Sequence, residues 1–240
     1  MTTAREIQGI LQHHRNVTKK APKVISLVSG GLDSILATRR LDHWGFDVTP
    51  LFVNYGQYPW KKELNAASDC LGPDIEVLTV SLDANPNFRV GSLWGRGIML
   101  VGLAASWAYV HGNCWDYVSL GNHQGDVGPD CKPGMFDDYL NKALELATKG
   151  DMHLLLPVED LTTEEIGKEL VSYTDLCRTY SCYWDPPCGF KSKNDSYRCP
   201  GCRRKAIAMA ATGQYTEKEM DLPNCKERTY QSPLAEKLEY

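Results

Sequence analysis

The sequence predicts an α/β protein with a doubly wound parallel sheet and a C-terminal cysteine-rich subdomain, and three observations indicate this architecture. Short apolar, β-branched runs alternate with segments of helical periodicity along most of the chain, as in parallel strands that are joined by helices. The loops with the most distinctive residues directly follow predicted strands, which is where such folds bind their ligands. A dense group of cysteines near residue 200 predicts a C-terminal metal-binding subdomain.

The predicted elements alternate in a regular order. The five strands fall at residues 23–28, 46–53, 75–80, 117–120 and 152–156. The helices between and after them fall at 33–44, 59–71, 98–110, 133–148, 162–172 and 202–211, and a short outer helix precedes the first strand. The 98–110 helix is rich in Ala, Leu, Val and Trp, which predicts that it is buried. The domains predicted from this pattern are an extension (1–21), an α/β domain (22–175), a cysteine-rich subdomain (176–213) and a tail (214–240).

Composition is that of an ordinary globular protein. The chain has 240 residues, of which 42% are hydrophobic and 23% charged, with a formal net charge of -4. This charge gives no general support for nucleic-acid binding, although it leaves a local basic patch open. No apolar run reaches the ~20 residues of a membrane span, and the first residues lack the apolar core of a signal peptide. The sequence therefore predicts a cytoplasmic enzyme.

The segment Ser29-Gly30-Gly31-Leu32-Asp33-Ser34 joins the first apolar strand to a helix. Its two glycines permit positive φ angles and a close approach of a ligand to the backbone. The unpaired amides at the start of the helix, and the positive end of the helix dipole, suit a phosphate. Ser29 and Ser34 add hydroxyl donors, and Asp33 can cap the helix or bind Mg²⁺. No lysine follows Gly31, so this is not a Walker A loop; an ordinary strand-turn-helix corner is the competing interpretation.

Nine cysteines are many for a cytosolic chain, and four of them fall within 21 positions: Cys182, Cys188, Cys199 and Cys202. The odd total and the lack of an export signal argue against a disulfide framework. Two thiolates spaced as in Cys199-Pro-Gly-Cys202 can bind one metal, and Cys182 and Cys188 can complete a tetrahedral zinc site. Four thiolates leave no open position, so the zinc would be structural. A redox Cys-x-x-Cys, unliganded thiols, and Cys177 as the first ligand are the alternatives.

Several segments, in this order, resemble 7-cyano-7-deazaguanine synthase. They are Ser29–Ser34, Asn54-Tyr55-Gly56-Gln57, Gly95-Arg96, Pro129-Asp130-Cys131-Lys132-Pro133, and Ser181-Cys182-Tyr183 with the later cysteines. The first alone resembles the pyrophosphate loop of the ATP pyrophosphatase superfamily, whereas Tyr-Gly-Gln, Pro-Asp-Cys and Ser-Cys-Tyr are more specific. The resemblance covers residues 23 to 213 and implies a Rossmann-like sheet of the adenine nucleotide α-hydrolase type.

The resemblance implies an ATP-dependent carbon–nitrogen ligase of the queuosine and archaeosine pathways. Such an enzyme adenylates the carboxylate of 7-carboxy-7-deazaguanine, and ammonia then gives the amide. A second activation, of the amide oxygen, allows loss of water to the nitrile. The resemblance also implies Mg²⁺, a structural Zn²⁺ held by four cysteines, and a homodimer.

The resemblance further implies roles for individual residues. The six residues Ser29, Gly30, Gly31, Leu32, Asp33 and Ser34 would hold the leaving pyrophosphate together with Mg²⁺. The catalytic set would be Arg96, which pairs with a phosphate or the substrate carboxylate, with Asp130 and Lys132. Tyr55 and Gln57 would contact adenine or ribose, and Asn122 and Asp130 the deazaguanine edge. Each of these residues also has a purely structural alternative. Arg96 would be a solvated loop arginine, Tyr55 would pack in the core, and Asp130 and Asn122 would cap loops. For His123, a hydrogen-bonded loop position competes with a general base.

Three departures from the family pattern keep other functions open. Lys132 stands where the family usually has arginine, Thr163 where it usually has lysine, and the cysteine gaps are 5, 10 and 2 residues. Lys168 or Lys132 would have to supply the positive charge that the family's lysine at the position of Thr163 usually provides. The other functions are an adenylating enzyme that joins a deazaguanine acid to a protein or nucleic-acid amine, a catalytically silent zinc-stabilised nucleotide-binding protein, and a tRNA thiolase that uses Cys131.

Overall fold

The structure, a computed structural model, describes residues 4–81, 95–112, 114–124, 135–183 and 199–215. Its strands are β1 (Lys23–Val28), β2 (Asp47–Asn54), β3 (Glu76–Thr79), β4 (Tyr117–Ser119) and β5 (His153–Leu155). They form a sheet in the order β3-β2-β1-β4-β5, and every neighbouring pair is parallel. The chain builds outward from β1 to one edge and then returns to β4 on the other side. The gap between β1 and β4 is therefore the topological switch point, where open α/β sheets bind ligands.

The helices alternate with these strands, as the sequence predicts. They are α1 (Ala4–Thr18), α2 (Leu32–Trp44), α3 (Trp60–Leu71), α4 (Arg96–Val110), α5 (Met135–Ala147), α6 (Thr163–Leu170) and α7 (Pro200–Thr212), with a 3-10 turn at Leu176–Arg178. The predicted starts of α4 and α7 are two residues late. Gly95 takes a left-handed φ of 73° immediately before α4. The side chain of Cys199 caps α7, so this helix begins at Pro200.

Apolar side chains cover both faces of the sheet, which confirms the doubly wound class. On one face α2, α3, α6 and α7 enclose a core whose largest members include Phe52, Leu36, Leu64, Ile166 and Met209. On the other face α4 and α5 pack on the alternate strand residues Ile25, Leu27, Leu51 and Val118. The two cores account for the alternation of side chains along buried parallel strands.

The helices α1 and α4 show where the predicted burial holds and where it does not. Ile7 and Leu11 of α1 are buried, and most of its other described side chains are at the surface, in line with the predicted outer helix. The prediction that α4 is buried is wrong for one of its faces, because Ile98 and Tyr109 are 57% and 77% exposed. A helix that covers a sheet from one side keeps its far face in solvent. Within the described ranges, no helix combines the length and apolar character needed to cross a bilayer.

Candidate functional site

The segment Ser29–Ser34, here called the glycine corner, connects the end of β1 to the start of α2. Gly30 has a left-handed φ of 70°. A Cβ atom there would overlap the carbonyl oxygen of Glu63 and lie 3.0 Å from the backbone nitrogen of Ala67. Both the backbone angle and the packing on α3 therefore require glycine. The predicted strand-turn-helix geometry is present, and Leu32 is buried beneath it.

Two serine hydroxyls close the glycine corner from inside. The Ser29 backbone N–H donates to Ser34 Oγ at 3.1 Å, the two Oγ atoms lie 3.2 Å apart, and Ser34 Oγ donates to the Gly31 carbonyl at 3.2 Å. Gly31 is the N-cap of α2 and has no side chain to cap the first turn. The first turn of this helix thus has no capping bond from its N-cap residue, and such an amide end suits an anionic ligand.

The loop after β4 meets the glycine corner at the switch point. A Cβ atom on Gly121 would lie 2.7 Å from the Ser34 nitrogen and 2.9 Å from the Asp33 oxygen, so the two backbones touch. His123 is fully buried, and its Nε2 lies 3.6 Å from Asp33 Oδ1. Asn122, between them in sequence, is half-buried. The structure therefore brings together the two predicted loops on either side of the switch point. Asp130, Cys131 and Lys132 lie outside the described residues.

Gln57 braces the loop after β2. Its Oε1 accepts from the Tyr55 backbone N–H at 2.9 Å, and its Nε2 donates to the Val53 carbonyl at 3.0 Å and to Glu63 Oε2 at 3.1 Å. Both ends of this buried amide are thereby engaged within the protein. The sequence interpretation considered Gln57 only as a nucleotide contact, which stays a prediction.

Arg96, Tyr55 and Glu63 form a group of ionisable side chains beside this loop. Arg96 is the first residue of α4, not a solvated loop residue, and it hydrogen-bonds the Tyr55 hydroxyl. Burial raises the pKa of Glu63 to about 7, against the opposing effects of the Gln57 hydrogen bond and the Arg96 charge. Burial also raises the pKa of Tyr55, which Arg96 partly offsets. Sequence reasoning missed Glu63, because only the approach of α3 to the loop reveals its surroundings.

Three buried thiols form a candidate metal centre at the start of α7. The Sγ atoms of Cys182, Cys199 and Cys202 all lie within 4.8 Å of one another. Cys199 Sγ also accepts the Cys202 backbone N–H at 3.4 Å. Hydrogen bonds from the neighbouring thiols lower the pKa of Cys199, and the same group raises the pKa of Cys202. Such a set suits tetrahedral zinc. Cys177, the rival first ligand, is not part of this group, and Cys188 lies outside the described residues.

Comparison with known proteins identifies a matching family and several relatives of this chain. The family model described as "Queuosine biosynthesis protein QueC" matches residues 76–213, more than half of the chain. A 7-cyano-7-deazaguanine synthase from Chlorobaculum parvum is 27% identical over 225 residues, which are 80% of this chain and 93% of that protein. The synthase of the same name from Methanocaldococcus jannaschii is 28% identical over 235 residues, 81% of this chain and 98% of that protein. The solved NMN synthetase from Francisella tularensis aligns with 99% of this chain and 95% of its own, with a TM-score of 0.44 and 14% identity.

Proposed function

We infer the function of this chain from its family, because it belongs to the QueC family of queuosine biosynthesis proteins. We propose that it is an ATP-dependent ligase that converts 7-carboxy-7-deazaguanine and ammonia to 7-cyano-7-deazaguanine. The names of the relatives, which match over almost their whole length, support this product. The observation that carries the ATP-dependent part is the glycine corner, an uncapped helix start at the switch point of the sheet.

Adenylation is the first step of the proposal, because a carboxylate is a poor electrophile. A carboxylate oxygen attacks the α-phosphorus of ATP, and the bond to the β-phosphate breaks. Pyrophosphate then leaves into the glycine corner, where backbone amides and the hydroxyls of Ser29 and Ser34 would hold its charge. Mg²⁺, when bound near the Asp33 carboxylate, would neutralise part of that charge.

Ammonia completes the conversion. It displaces AMP from the acyl carbon to give the amide. The amide oxygen then attacks a second ATP with release of pyrophosphate, and elimination of AMP, with loss of the two nitrogen protons, gives the nitrile. Arg96 is proposed to pair with a phosphate or with the substrate carboxylate, since its link to Tyr55 fixes it at the start of α4. Asp130 and Lys132 complete the proposed catalytic set, and Tyr55, Gln57 and Asn122 the proposed nucleotide and base contacts.

Zinc has a structural role in this proposal. Cys182, Cys199 and Cys202 would hold it, with Cys188 as the fourth ligand, and the ion would cross-link the segment before α7 to the helix. We further propose a homodimer, for which the exposed apolar side chains Ile98, Tyr109 and Val110 of α4 offer a surface.

The test is an incubation of the purified protein with ATP, Mg²⁺, ammonium and 7-carboxy-7-deazaguanine, followed by mass spectrometry of all products. Free nitrile and AMP are expected from the unaltered chain. Gly30→Ala should abolish both, since its Cβ would overlap the Glu63 carbonyl. Gly9→Ala is the matched control, because a Cβ there meets nothing within 4 Å. AMP without nitrile would instead favour transfer of the deazaguanine acid to a macromolecular amine, and no turnover would leave a silent binding protein.

A further inference from the structure

The segment Cys177–Tyr183, here called the strut, crosses the glycine corner. The Tyr180 backbone N–H donates to the Gly30 carbonyl at 2.8 Å. A Cβ atom on Gly31 would lie 3.6 Å from the Tyr180 carbonyl oxygen. The strut therefore contacts both glycines of the corner, and it fixes the orientation of the peptide plane between them.

The other side of the strut lies on the cysteine cluster. Cys182, within the strut, contributes one of the three buried thiols. Gly201, the second residue of α7, packs so closely on Ser181 that any Cβ would overlap the Ser181 carbonyl. The beginning of α7 and the strut are thus in direct backbone contact, and a metal at the cluster would cross-link them further.

Lys205, which lies about one helical turn after Cys202 in α7, hydrogen-bonds the strut. This lysine is only 5% exposed, and its Nζ donates to the Thr179 carbonyl at 2.5 Å and to the Cys177 carbonyl at 3.4 Å. A buried ammonium is costly unless its protons are hydrogen-bonded, so the carbonyls of the strut and the lysine hold one another in place. Thr179, which accepts this bond, directly precedes the residue that contacts Gly30.

We propose that Lys205 is a positioning residue that transmits the order of the cysteine cluster, through Thr179 and Tyr180, to the glycine corner. A corner that is already held in its binding conformation loses less entropy when it takes up a phosphate chain, so its affinity is higher. The inference rests on the proposed binding of ATP at this corner. It adds that the cysteine cluster, although it takes no part in the proposed chemistry, raises the nucleotide affinity of the corner.

The first test removes the hydrogen bond between Tyr180 and Gly30, the last contact of the proposed connection from the cysteine cluster to the glycine corner. Tyr180→Pro deletes the N–H that Gly30 accepts, and Thr179, at φ -75° and ψ 154°, already has a conformation that proline permits in its predecessor. Tyr180→Ala is the matched control, because it loses the ring and keeps the N–H. We expect the proline variant to bind ATP about tenfold more weakly than the alanine variant, as measured by calorimetry. The two variants should contain equal amounts of zinc. Equal affinities of the two variants would overturn the proposal.

The second test addresses Lys205. Lys205→Met retains the apolar stem but loses the donors, and we expect weaker ATP binding with zinc still bound; Lys205→Arg, which keeps a charged donor, should recover part of the affinity. If Lys205→Met bound ATP as tightly as the unaltered chain does, the proposed positioning role of Lys205 would be wrong.

A third measurement needs neither a variant nor a nucleotide. After metal is removed from the unaltered chain by a chelator, amide hydrogen exchange should rise in the peptides that cover 29–34 as well as in those that cover the strut. Faster exchange in the strut alone would refute the proposal, even if Lys205→Met fails to fold. If the chain binds no ATP, the proposed function fails, while this exchange experiment still decides whether cluster and corner are coupled.

Discussion

Arg40 of α2 and Glu169 of α6 form a two-pronged ion pair, with Nε to Oε1 at 2.6 Å and Nη2 to Oε2 at 2.5 Å. Arg40 is 9% exposed, and its Nη1 also donates to the Pro157 carbonyl at 2.7 Å. One guanidinium thus joins the helix after the glycine corner, the helix that packs on α7, and the turn that follows β5. A planar fork is needed for all three bonds, which a lysine cannot supply.

Replacement of this arginine tests its structural role. We expect Arg40→Lys to lower the free energy of unfolding by about 2 kcal/mol, because Glu169 and the Pro157 carbonyl lose donors in a largely buried place. Chemical denaturation measures the change. Arg203→Lys, at an exposed position of α7, is the control and should alter stability by no more than about 0.5 kcal/mol. A loss of equal size in both variants would show that the ion pair contributes nothing specific.

Gly121 offers a second test, at the contact between the loops after β1 and β4. A Cβ at this position would meet the Ser34 nitrogen at 2.7 Å, so Gly121→Ala must push the loop away from the glycine corner. We expect weaker ATP binding, by tenfold or more (about 1.4 kcal/mol), measured by calorimetry. Gly102→Ala serves as the control, since a Cβ on this exposed helical residue meets nothing within 4 Å. Unchanged ATP affinity in Gly121→Ala would separate this loop from the nucleotide site.

The strands and helices were predictable because their signals are local. The run Val24–Val28 is apolar and β-branched, and α2 repeats its apolar residues at helical spacing, so each reveals its burial without knowledge of its partners. The convergence of the loops at 29–34 and 121–124 also followed, because carboxyl ends of parallel strands share one edge. These parts of the site needed only the class of the fold.

The side-chain arrangements of the site depend on contacts between distant segments. The prediction of Gln57 as a nucleotide contact stays open, but the sequence did not reveal that its amide is hydrogen-bonded by Tyr55, Val53 and Glu63 once α3 folds against the loop. Lys205 gave no signal in the sequence, since lysine side chains are ordinarily exposed. The exposed face of α4 was missed because its overall apolar composition obscures which side meets the sheet. These features require the three-dimensional packing of α3, α4 and α7.

The raised pKa of Glu63 predicts a dependence of stability on pH. Between pH 4.5 and about 7 the folded state holds this proton more tightly than the unfolded state does, so its contribution to stability falls as the pH rises through that window. Glu63→Gln, which can still accept the bond from Gln57, should be more stable than the unaltered chain at pH 8, by about 1–3 kcal/mol, and similar to it at pH 4.5.

Denaturation curves at several pH values provide the measurement for Glu63. Glu76→Gln, at an exposed position of β3, is the control and should leave the pH profile unchanged. A constant difference between Glu63→Gln and the unaltered chain from pH 4.5 to 8 would mean that this carboxyl titrates in its ordinary range.

The cysteine cluster predicts a zinc-dependent fold of the α7 region. Cys199→Ser removes both a buried thiol of the group and the sulfur that caps the Cys202 amide, so we expect loss of bound zinc and a fall in stability of about 2 kcal/mol or more. Cys114→Ser is the matched control, because that thiol is exposed and remote from the group. Atomic absorption measures the zinc content of both variants. Thermal unfolding measures their stability, and the unfolding midpoint of Cys199→Ser should fall by about 4–8 °C. If Cys199→Ser retained a full zinc equivalent and the stability of the unaltered chain, Cys199 would not be a ligand of that ion, and the proposed four-cysteine site would be wrong at this position.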